Sequence, residues 1–346
     1  MLVADKSRFD LQRTSRTART SERPGVYIGS RLAPSPRAGW TRKDRLRASI
    51  VYNPTARRAP LLTRVREACL RLQPEWDIAV QVSEGAGHAT VLAREAATGG
   101  ADVIFACGGD GTVNEVANGL VGTGSTLAVI RGGTSNVFAV EIGVPRSPER
   151  ALAALVSGTV RRFDLGVAAG RHFLLMAGVG FDAHSIRGVS ERVKRSLGVG
   201  AYYLSAAVQL ARYRSQRVKL SIDGDEQEVD VYWLVLGNTR SYAGIFDVTP
   251  GAMANDGYLD LCLLTGRPLP WTIASLAAFT LRRHNWAGAA TFQRVHELEI
   301  KTPGIAVQVD GEYLAETPML FTVKPQAMPV LVPRGRALPM LQDEGE

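Results

Sequence analysis

Residues 101–120 read ADVIFACGGDGTVNEVANGL, and this stretch decides the fold class. It begins with a continuous apolar run, Ala101–Cys107, of the kind found in strands that are buried on both faces of a parallel sheet. A glycine turn, Gly108–Thr112, follows at once, and a helix is predicted after the turn. Strand, glycine turn and helix in this order predict one unit of an α/β fold.

The flanking sequence repeats this alternation of strand and helix. Strands are predicted at Ala48–Tyr52, Trp76–Ser83 and Thr126–Ile130, and helices at Leu61–Leu72 and from Gly87 to about Ala97. Crossover helices between strands require a parallel arrangement of the strands. We therefore predict an N-terminal α/β domain with an open, mostly parallel sheet and flanking helices.

A second glycine turn, Gly132–Asn136, follows the strand predicted at Thr126–Ile130. It repeats the order seen at Gly108–Thr112, a buried strand followed by a polar, glycine-rich turn. In open α/β sheets, ligands bind beyond the carboxyl ends of the strands. Two such turns at successive strand ends predict a ligand site at this edge of the sheet.

The pattern changes after about Arg161, where short alternating segments replace the strand and helix units. Asp223–Gly224 and Asp310–Gly311 are strong hairpin signals, so this half is predicted to be mainly antiparallel β. Its strands are predicted at Phe173–Met176, Val218–Asp223, Val229–Leu236, Leu259–Leu264, Leu298–Lys301, Ala306–Val309, Leu320–Val323 and Met328–Val332.

These patterns divide the chain into three parts. Residues 1–47 form a basic extension, residues 48–163 the α/β domain, and residues 164–324 the β-rich domain. Residues 325–335 are predicted to return to the α/β domain.

The formal net charge of +8 comes from the N-terminal extension. Residues 1–47 contain 12 Lys or Arg and 4 Asp or Glu, which leaves 29 residues of each sign in the body. The prolines and polar residues of the extension predict disorder, with a transit peptide or an electrostatic membrane tether as alternatives. A neutral body does not favour binding to nucleic acid.

The apolar runs and the cysteines predict where in the cell the protein is located. No apolar run approaches the ~20 residues that a membrane-spanning helix needs. Cys69, Cys107 and Cys262 lie far apart without a paired spacing, which suggests a reducing compartment. A cytoplasmic location is therefore predicted.

The Gly108–Thr112 turn has the features of a phosphate-binding loop. Glycines let the backbone approach phosphate oxygens, a helix N-terminus favours an anion, and Thr112 can cap the helix. Asp110 would repel phosphates unless a divalent cation lies between them or it bonds a sugar hydroxyl. A plain glycine turn with Asp110 as a capping group is the alternative. The spacing matches neither the dinucleotide fingerprint nor the P-loop.

The segment Cys107–Gly119 resembles the signature of the diacylglycerol kinase catalytic family, which includes the sphingosine kinases. Further matching blocks occur in family order over roughly residues 49–333. They are Asn53–Thr55, Gly85–Ala89, Gly132–Asn136, Gly178–Ala183, Asn255–Asp260 and Val309–Glu312. The resemblance implies an ATP-dependent lipid kinase that phosphorylates a hydroxyl of a lipid such as diacylglycerol.

The resemblance also implies a nucleotide site in the cleft between the two domains. The residues implied for ATP binding are Asn53, Pro54, Thr55, Gly108, Gly109, Asp110, Gly111, Thr112, Asn114, Glu115, Gly133, Thr134 and Asn136. Catalytic roles are implied for Glu312, as the general base, and for Asp110 and Asp310. A structural Mg²⁺ is implied at Asp256, with backbone oxygens of Met253 and Tyr258; an acidic loop suits this cation.

Two points stay open at this level. Asp-Gly is a common hairpin turn, so the residues alone do not distinguish Asp310–Glu312 from Asp223–Asp225. Arg131 stands where the family often has proline, and Val137 where many members have aspartate. The missing aspartate leaves the arrangement of metal at the phosphates undetermined.

Two other functions are weighed against the lipid kinase. An NAD kinase-like enzyme shares the GGDG turn but phosphorylates a soluble dinucleotide. A non-catalytic protein would use the basic extension to bind a membrane or nucleic acid. For the lipid kinase, the expected partners are a lipid substrate and a transiently contacted membrane surface, with a homodimer possible; it would be peripheral to the membrane.

Overall fold

The computed structural model describes residues 46–55, 61–72, 76–181, 183, 213–242, 244, 246–265, 274, 278, 290–335 and 337–342. The predicted basic extension lies outside these ranges, except for Leu46 and Arg47, which begin the first strand. No helix in the described ranges is long and apolar enough to cross a membrane.

The first half of the chain alternates strands and helices. Its elements are β1 Leu46–Tyr52, α1 Leu61–Leu72, β2 Trp76–Val82, α2 His88–Thr98, β3 Val103–Gly108, α3 Asp110–Leu120, β4 Thr126–Arg131, α4 Val137–Glu141 and α5 Pro148–Val156. The strands pair in parallel in the order β4, β3, β1, β2. All six residues of β3 are buried, as its continuous apolar sequence predicts.

The second half is mainly strands among the residues described, with isolated helical residues at 181, 183, 274 and 278. The strands are β5 Thr159–Ala168, β6 Arg171–Phe173, β7 Met176–Gly180, β8 Gln216–Ile222, β9 Asp225–Gly237, β10 Ser241–Tyr242, β11 Phe246–Asp247, β12 Leu259–Thr265, β13 Ala290–Val295, β14 Glu297–Ile300, β15 Ala306–Val309, β16 Glu312–Glu316 and β17 Met319–Val332. Pairing among them is antiparallel. The predicted fold class, a parallel α/β region followed by an antiparallel β region, is confirmed.

Three two-residue turns connect neighbouring strands in this half. Asp223–Gly224 joins β8 to β9 and Asp310–Gly311 joins β15 to β16, with both residues of each turn at positive φ. A third turn, Ala169–Gly170, joins β5 to β6 and has the same signs of φ. The sequence does not predict this third hairpin, because alanine carries none of the turn preference of aspartate or asparagine.

The strand predicted at Phe173–Met176 is wrong. The chain leaves β6 at Phe173 and enters β7 at Met176. Between them, the backbone N–H groups of Leu174, Leu175 and Met176 donate to the carboxylate of Asp310 at 2.9–3.0 Å. These donors are therefore directed to a side chain, which interrupts the strand.

The two strands predicted at Leu320–Val323 and Met328–Val332 form one strand, β17. Its pairing with β5 shifts register between Lys324 and Met328, and Gln326 has a φ of 48°. This irregularity accommodates the intervening residues without ending the strand. Beyond it, β17 pairs in parallel with β4 through Val330 and Leu127, so one sheet runs through both halves of the molecule.

Candidate active site

The two glycine turns lie directly against each other. The backbone N–H groups of Gly132 and Gly133 donate to the carbonyl of Gly108 at 2.8 and 3.2 Å. Asn136 closes the second turn, since its side chain accepts from the N–H of Gly133 and donates to the same residue's carbonyl. A Cβ atom on Gly133 would lie 2.6 Å from the Cα of Gly109. Only glycine fits at this contact.

We predict that Gly133→Ala lowers the free energy of unfolding by about 1–3 kcal/mol and weakens ATP binding, because two backbone segments must separate. Urea denaturation and calorimetric titration with ATP measure the two effects. Gly85→Ala is the matched control, since a Cβ there meets no atom within 4 Å. Equal stability of the two variants would contradict the prediction.

Asp110 holds the second turn to the first. Its Oδ1 atom accepts a hydrogen bond of 3.2 Å from the N–H of Phe138, in the first turn of α4. Burial raises the pKa of Asp110, although backbone N–H groups at Val137 and Phe138 lower it. The carboxylate thus has the geometry of the capping group that the sequence allowed as an alternative. Val137, the first residue of α4, is buried.

Other predicted nucleotide residues surround these turns. Asn53 donates to the hydroxyl of Thr112 at 2.9 Å and accepts from the N–H and hydroxyl of Thr55. Thr112 was expected to cap the helix. It lies inside α3 instead, because Gly109 is extended and the helix already begins at Asp110. Pro54, Thr55 and Thr134 are exposed.

Glu115 is used for a contact between helices. Its Oε2 atom accepts a hydrogen bond of 3.1 Å from the N–H of Ala89, in the first turn of α2. The N–H groups of a first helical turn have no partner within the helix, and a carboxylate there also meets the favourable end of the helix dipole. Glu115 therefore joins α3 to the start of α2.

Glu312 reaches this edge of the sheet from the other half of the molecule. It is the first residue after the Asp310–Gly311 turn, and its Oε1 atom would lie 2.6 Å from a Cβ atom built on Gly111, in the first turn of α3. Its Oε2 atom contacts Nη2 of Arg171 at 2.5 Å. The structure thus brings the predicted base to the predicted phosphate loop.

Asp310 connects the two halves of this site. The residue is partly exposed at the turn, but its carboxylate points inward and accepts three backbone N–H groups. A fourth hydrogen bond, of 2.7 Å, comes from Nδ2 of Asn114 on α3. Burial raises the pKa of Asp310, although these hydrogen bonds lower it. Asp310 therefore holds the structure around Glu312 in place.

The predicted metal residues form a separate group. Asp256 is 3% exposed in its side chain, accepts from the N–H of Tyr258 and lies 3.4 Å from Arg294. Asp164 accepts from the N–H of Gly257. Burial and the charge of Asp256 together raise the pKa of Asp260 to about 6.

No group of three His, Cys, Asp or Glu side chains in the described ranges could hold a metal ion. A site here would therefore combine a carboxylate with backbone oxygens, as the resemblance implies. One Asp260 oxygen is buried and has no hydrogen-bond partner among the described residues. The neighbouring carboxylates and this oxygen fit a hard divalent cation such as Mg²⁺.

A buried carboxylate that the sequence analysis missed lies at the end of α4. Glu141 accepts a hydrogen bond of 2.8 Å from the N–H of Ser241, at the start of β10. Burial, the largest cause, and charge repulsion from Asp247 raise the pKa of Glu141 from 4.5 to about 7, against the lowering effect of hydrogen bonds from Thr239 and Ser241. Glu141 thus links the two halves of the molecule, but its ionised form destabilises the folded protein.

We predict that Glu141→Gln stabilises the protein at pH 8 and not at pH 4. As pH rises from 4.5 to about 7, the unfolded chain loses the Glu141 proton before the folded protein does, so the free energy of unfolding falls through this window. The loss is complete above pH 7 and amounts to at most about 3 kcal/mol. Urea denaturation at both pH values measures the free energy of unfolding. An equal gain in stability from Glu141→Gln at pH 4 and pH 8 would contradict the prediction.

Two family models match the chain. Residues 47–168 match the diacylglycerol kinase catalytic domain, and residues 176–332 match the YegS C-terminal NAD kinase beta sandwich-like domain. The chain is 31% identical over 297 residues to diacylglycerol kinase of Bacillus subtilis, covering 84% of this chain and 98% of that protein. It is 34% identical over 266 residues to a probable lipid kinase YegS-like of Pseudomonas putida, covering 76% and 88%.

Solved structures agree with these matches. A crystal structure described as a diacylglycerol kinase from Bacillus anthracis superimposes with a TM-score of 0.70 at 26% identity, covering 84% of this chain and 98% of that chain. A second, described as a putative diacylglycerol kinase from the same organism, gives 0.68 at 26% identity and covers 85% and 99%.

The fold and these likenesses define the class of protein as a lipid kinase. The chain belongs to the diacylglycerol kinase catalytic-domain family, and within it to the YegS-like bacterial lipid kinases. The resemblance found in the sequence is confirmed, and with it the assignment to diacylglycerol kinase-like enzymes. Kinases of this family are expected to use ATP.

Proposed function

We propose that this lipid kinase transfers the γ-phosphate of ATP to a hydroxyl of an acyl lipid such as diacylglycerol, with Glu312 as the general base. The observation that carries the proposal is the approach of Glu312 to Gly111. It puts a carboxylate beside the helix N-terminus at which nucleotide phosphates are expected. The proposed phosphate cradle and the proposed base, the two groups that phosphoryl transfer needs, then lie next to each other.

The glycine turns would bind the phosphates. Close contact between Gly109 and Gly133 keeps side chains away from the backbone there. The first N–H groups of α3 have no partner within the helix, so they are available to phosphate oxygens. Thr55 and Thr134 are exposed, and their hydroxyls suit the remaining parts of the nucleotide, whereas Asn53 is half-buried and bonded to Thr112 and Thr55.

Glu312 would accept the proton of the lipid hydroxyl as that oxygen bonds to the γ-phosphorus and ADP leaves. A general base must lie within hydrogen-bond reach of the proton that it removes. Asp310 takes no proton in this scheme, since its carboxylate is occupied by four internal hydrogen bonds. We therefore assign Asp310 a structural role, and Asp110 the role of fixing the second glycine turn.

Mg²⁺ is proposed at Asp256, with backbone oxygens of Met253 and Tyr258. Burial and then the charge of Asp256 raise the pKa values of Asp164 and Asp260, so Asp256 repels both of these carboxylates. A bound cation would offset this repulsion. Asp164 also accepts from Gln326 in β17, so the loop is tied to the sheet. The proposed Mg²⁺ would therefore stabilise the fold of the second domain.

The test is transfer of label from γ-labelled ATP with magnesium to diacylglycerol, monoacylglycerol, sphingosine, ceramide and NAD, each presented in the same mixed micelles. Label in an acyl lipid supports the proposal, and label in NAD alone contradicts it. Sedimentation with anionic vesicles at low salt tests the proposed reversible contact of a cytoplasmic enzyme with its membrane. Failure to sediment would contradict that contact.

A further inference from the structure

The ion pair between Arg171 and Glu312 lies beside the first turn of α3. The side chains are 28% and 44% exposed, so neither belongs to the core. Arg171 contacts only Oε2 of Glu312, whereas Oε1 is the atom that approaches Gly111. The two oxygens of the carboxylate therefore have different surroundings.

The guanidinium group of Arg171 also donates to the buried side-chain amide of Asn114. Its Nη2 and Nε atoms donate to Oδ1 of Asn114 at 3.0 and 3.3 Å. Asn114 is 1% exposed, and its Nδ2 atom donates to Asp310 and to the carbonyl of His172. The guanidinium group thus links Glu312 to fixed groups in the interior.

The backbone positions of the two charged residues are equally constrained. Arg171 is the first residue after the Ala169–Gly170 turn, and Glu312 is the first after the Asp310–Gly311 turn. In a two-residue hairpin this position is paired across the turn, so its direction is set by the strand register. Two hairpin tips therefore meet beside the first turn of α3.

We propose that Arg171 is a positioning residue that holds Oε2 of Glu312, so that Oε1 is directed at the lipid hydroxyl. The inference rests on the proposed role of Glu312 as the base. A free glutamate side chain samples several rotamers, and base catalysis needs one of them. The bond to Asn114 favours a fixed arrangement, whereas an ordinary surface ion pair has no such anchor.

The test compares Arg171→Ala and Arg171→Lys with Arg64→Ala. Arg64 forms an ion pair with Glu149 at 2.8 Å, and its side chain is 45% exposed. Arg64→Ala therefore removes the same kind of ion pair at a position outside the candidate active site. We expect Arg171→Ala to lower kcat by about 10- to 100-fold while the KM values for ATP and lipid change less than about twofold. Arg171→Lys should recover part of kcat, and Arg64→Ala should leave it unchanged.

A double variant separates this inference from the proposed function. In a Glu312→Gln background, Arg171→Ala should cause less than about a threefold further loss, because both residues act through one carboxylate. Unchanged kcat in Arg171→Ala, a change confined to KM, or a full multiplicative loss in the double variant would each overturn the inference. Normal turnover of Glu312→Gln alone would instead overturn the proposed function. Melting temperatures confirm that each variant is folded.

Discussion

Glu312→Gln lowers the turnover of lipid phosphorylation by about 10²- to 10⁴-fold, the usual contribution of a general base. Glutamine has the size of glutamate and can still accept a hydrogen bond from Arg171, but it cannot take a proton. ATP binding should therefore be unchanged. Initial rates with saturating ATP and lipid, together with calorimetric titration of ATP, measure the two properties.

The chain supplies a matched control for this prediction. Asp225 is the first residue after the Asp223–Gly224 turn, as Glu312 is after Asp310–Gly311, and it is exposed. Asp225→Asn should keep full turnover. A similar loss in both variants, or near-normal turnover of Glu312→Gln, would show that Glu312 is not the base.

Asp310→Ala should cost on the order of 4 kcal/mol in the free energy of unfolding, the largest stability effect that we predict. Its carboxylate accepts hydrogen bonds from Leu174, Leu175, Met176 and Asn114, and each donor left without a partner in the interior costs about 1–3 kcal/mol. Urea denaturation measures the loss. Activity should fall as well, because the same bonds hold the turn that carries Glu312.

Asp223→Ala is the control for this second prediction. Asp223 and Asp310 have the same φ of 48°, so the cost of placing alanine in the left-handed region is the same in both variants. Within the described part of the chain, the Asp223 carboxylate accepts from the N–H groups of His296 and Glu297, both at exposed positions. A difference below about 1 kcal/mol between the variants would contradict the structural role of Asp310.

The α/β half could be predicted from sequence because its signals are local. Strand β3 has a continuous apolar sequence, and its glycine turn follows immediately. Helix α1 was predicted at its observed bounds, Leu61–Leu72, from apolar spacing alone. Such periodic patterns need no knowledge of distant residues.

The candidate site could be predicted only in part, because its contacts join residues far apart in the chain. Asp223 and Asp310 have equivalent local sequences, and what distinguishes them is contact with distant residues: the N–H groups of residues 174–176 and the side chain of Asn114 bond Asp310. Arg171 follows an Ala-Gly turn and carries no motif, so nothing in the sequence pointed to it. Glu115 was expected to bind nucleotide, yet its carboxylate bonds the start of α2, a contact 26 residues away.

Strand β17 has a consequence for how the protein is made. The ribosome releases the α/β half first, and such N-terminal regions commonly fold as they emerge. Here the neighbour of β4 on one side is supplied by Val330, near the end of the 346-residue chain. Until that residue is synthesised, β4 has an unpaired edge, which is a site of incorrect association. Synthesis that stops between Asn136 and Val330 therefore leaves β4 without its neighbour β17, even though both glycine turns are already present.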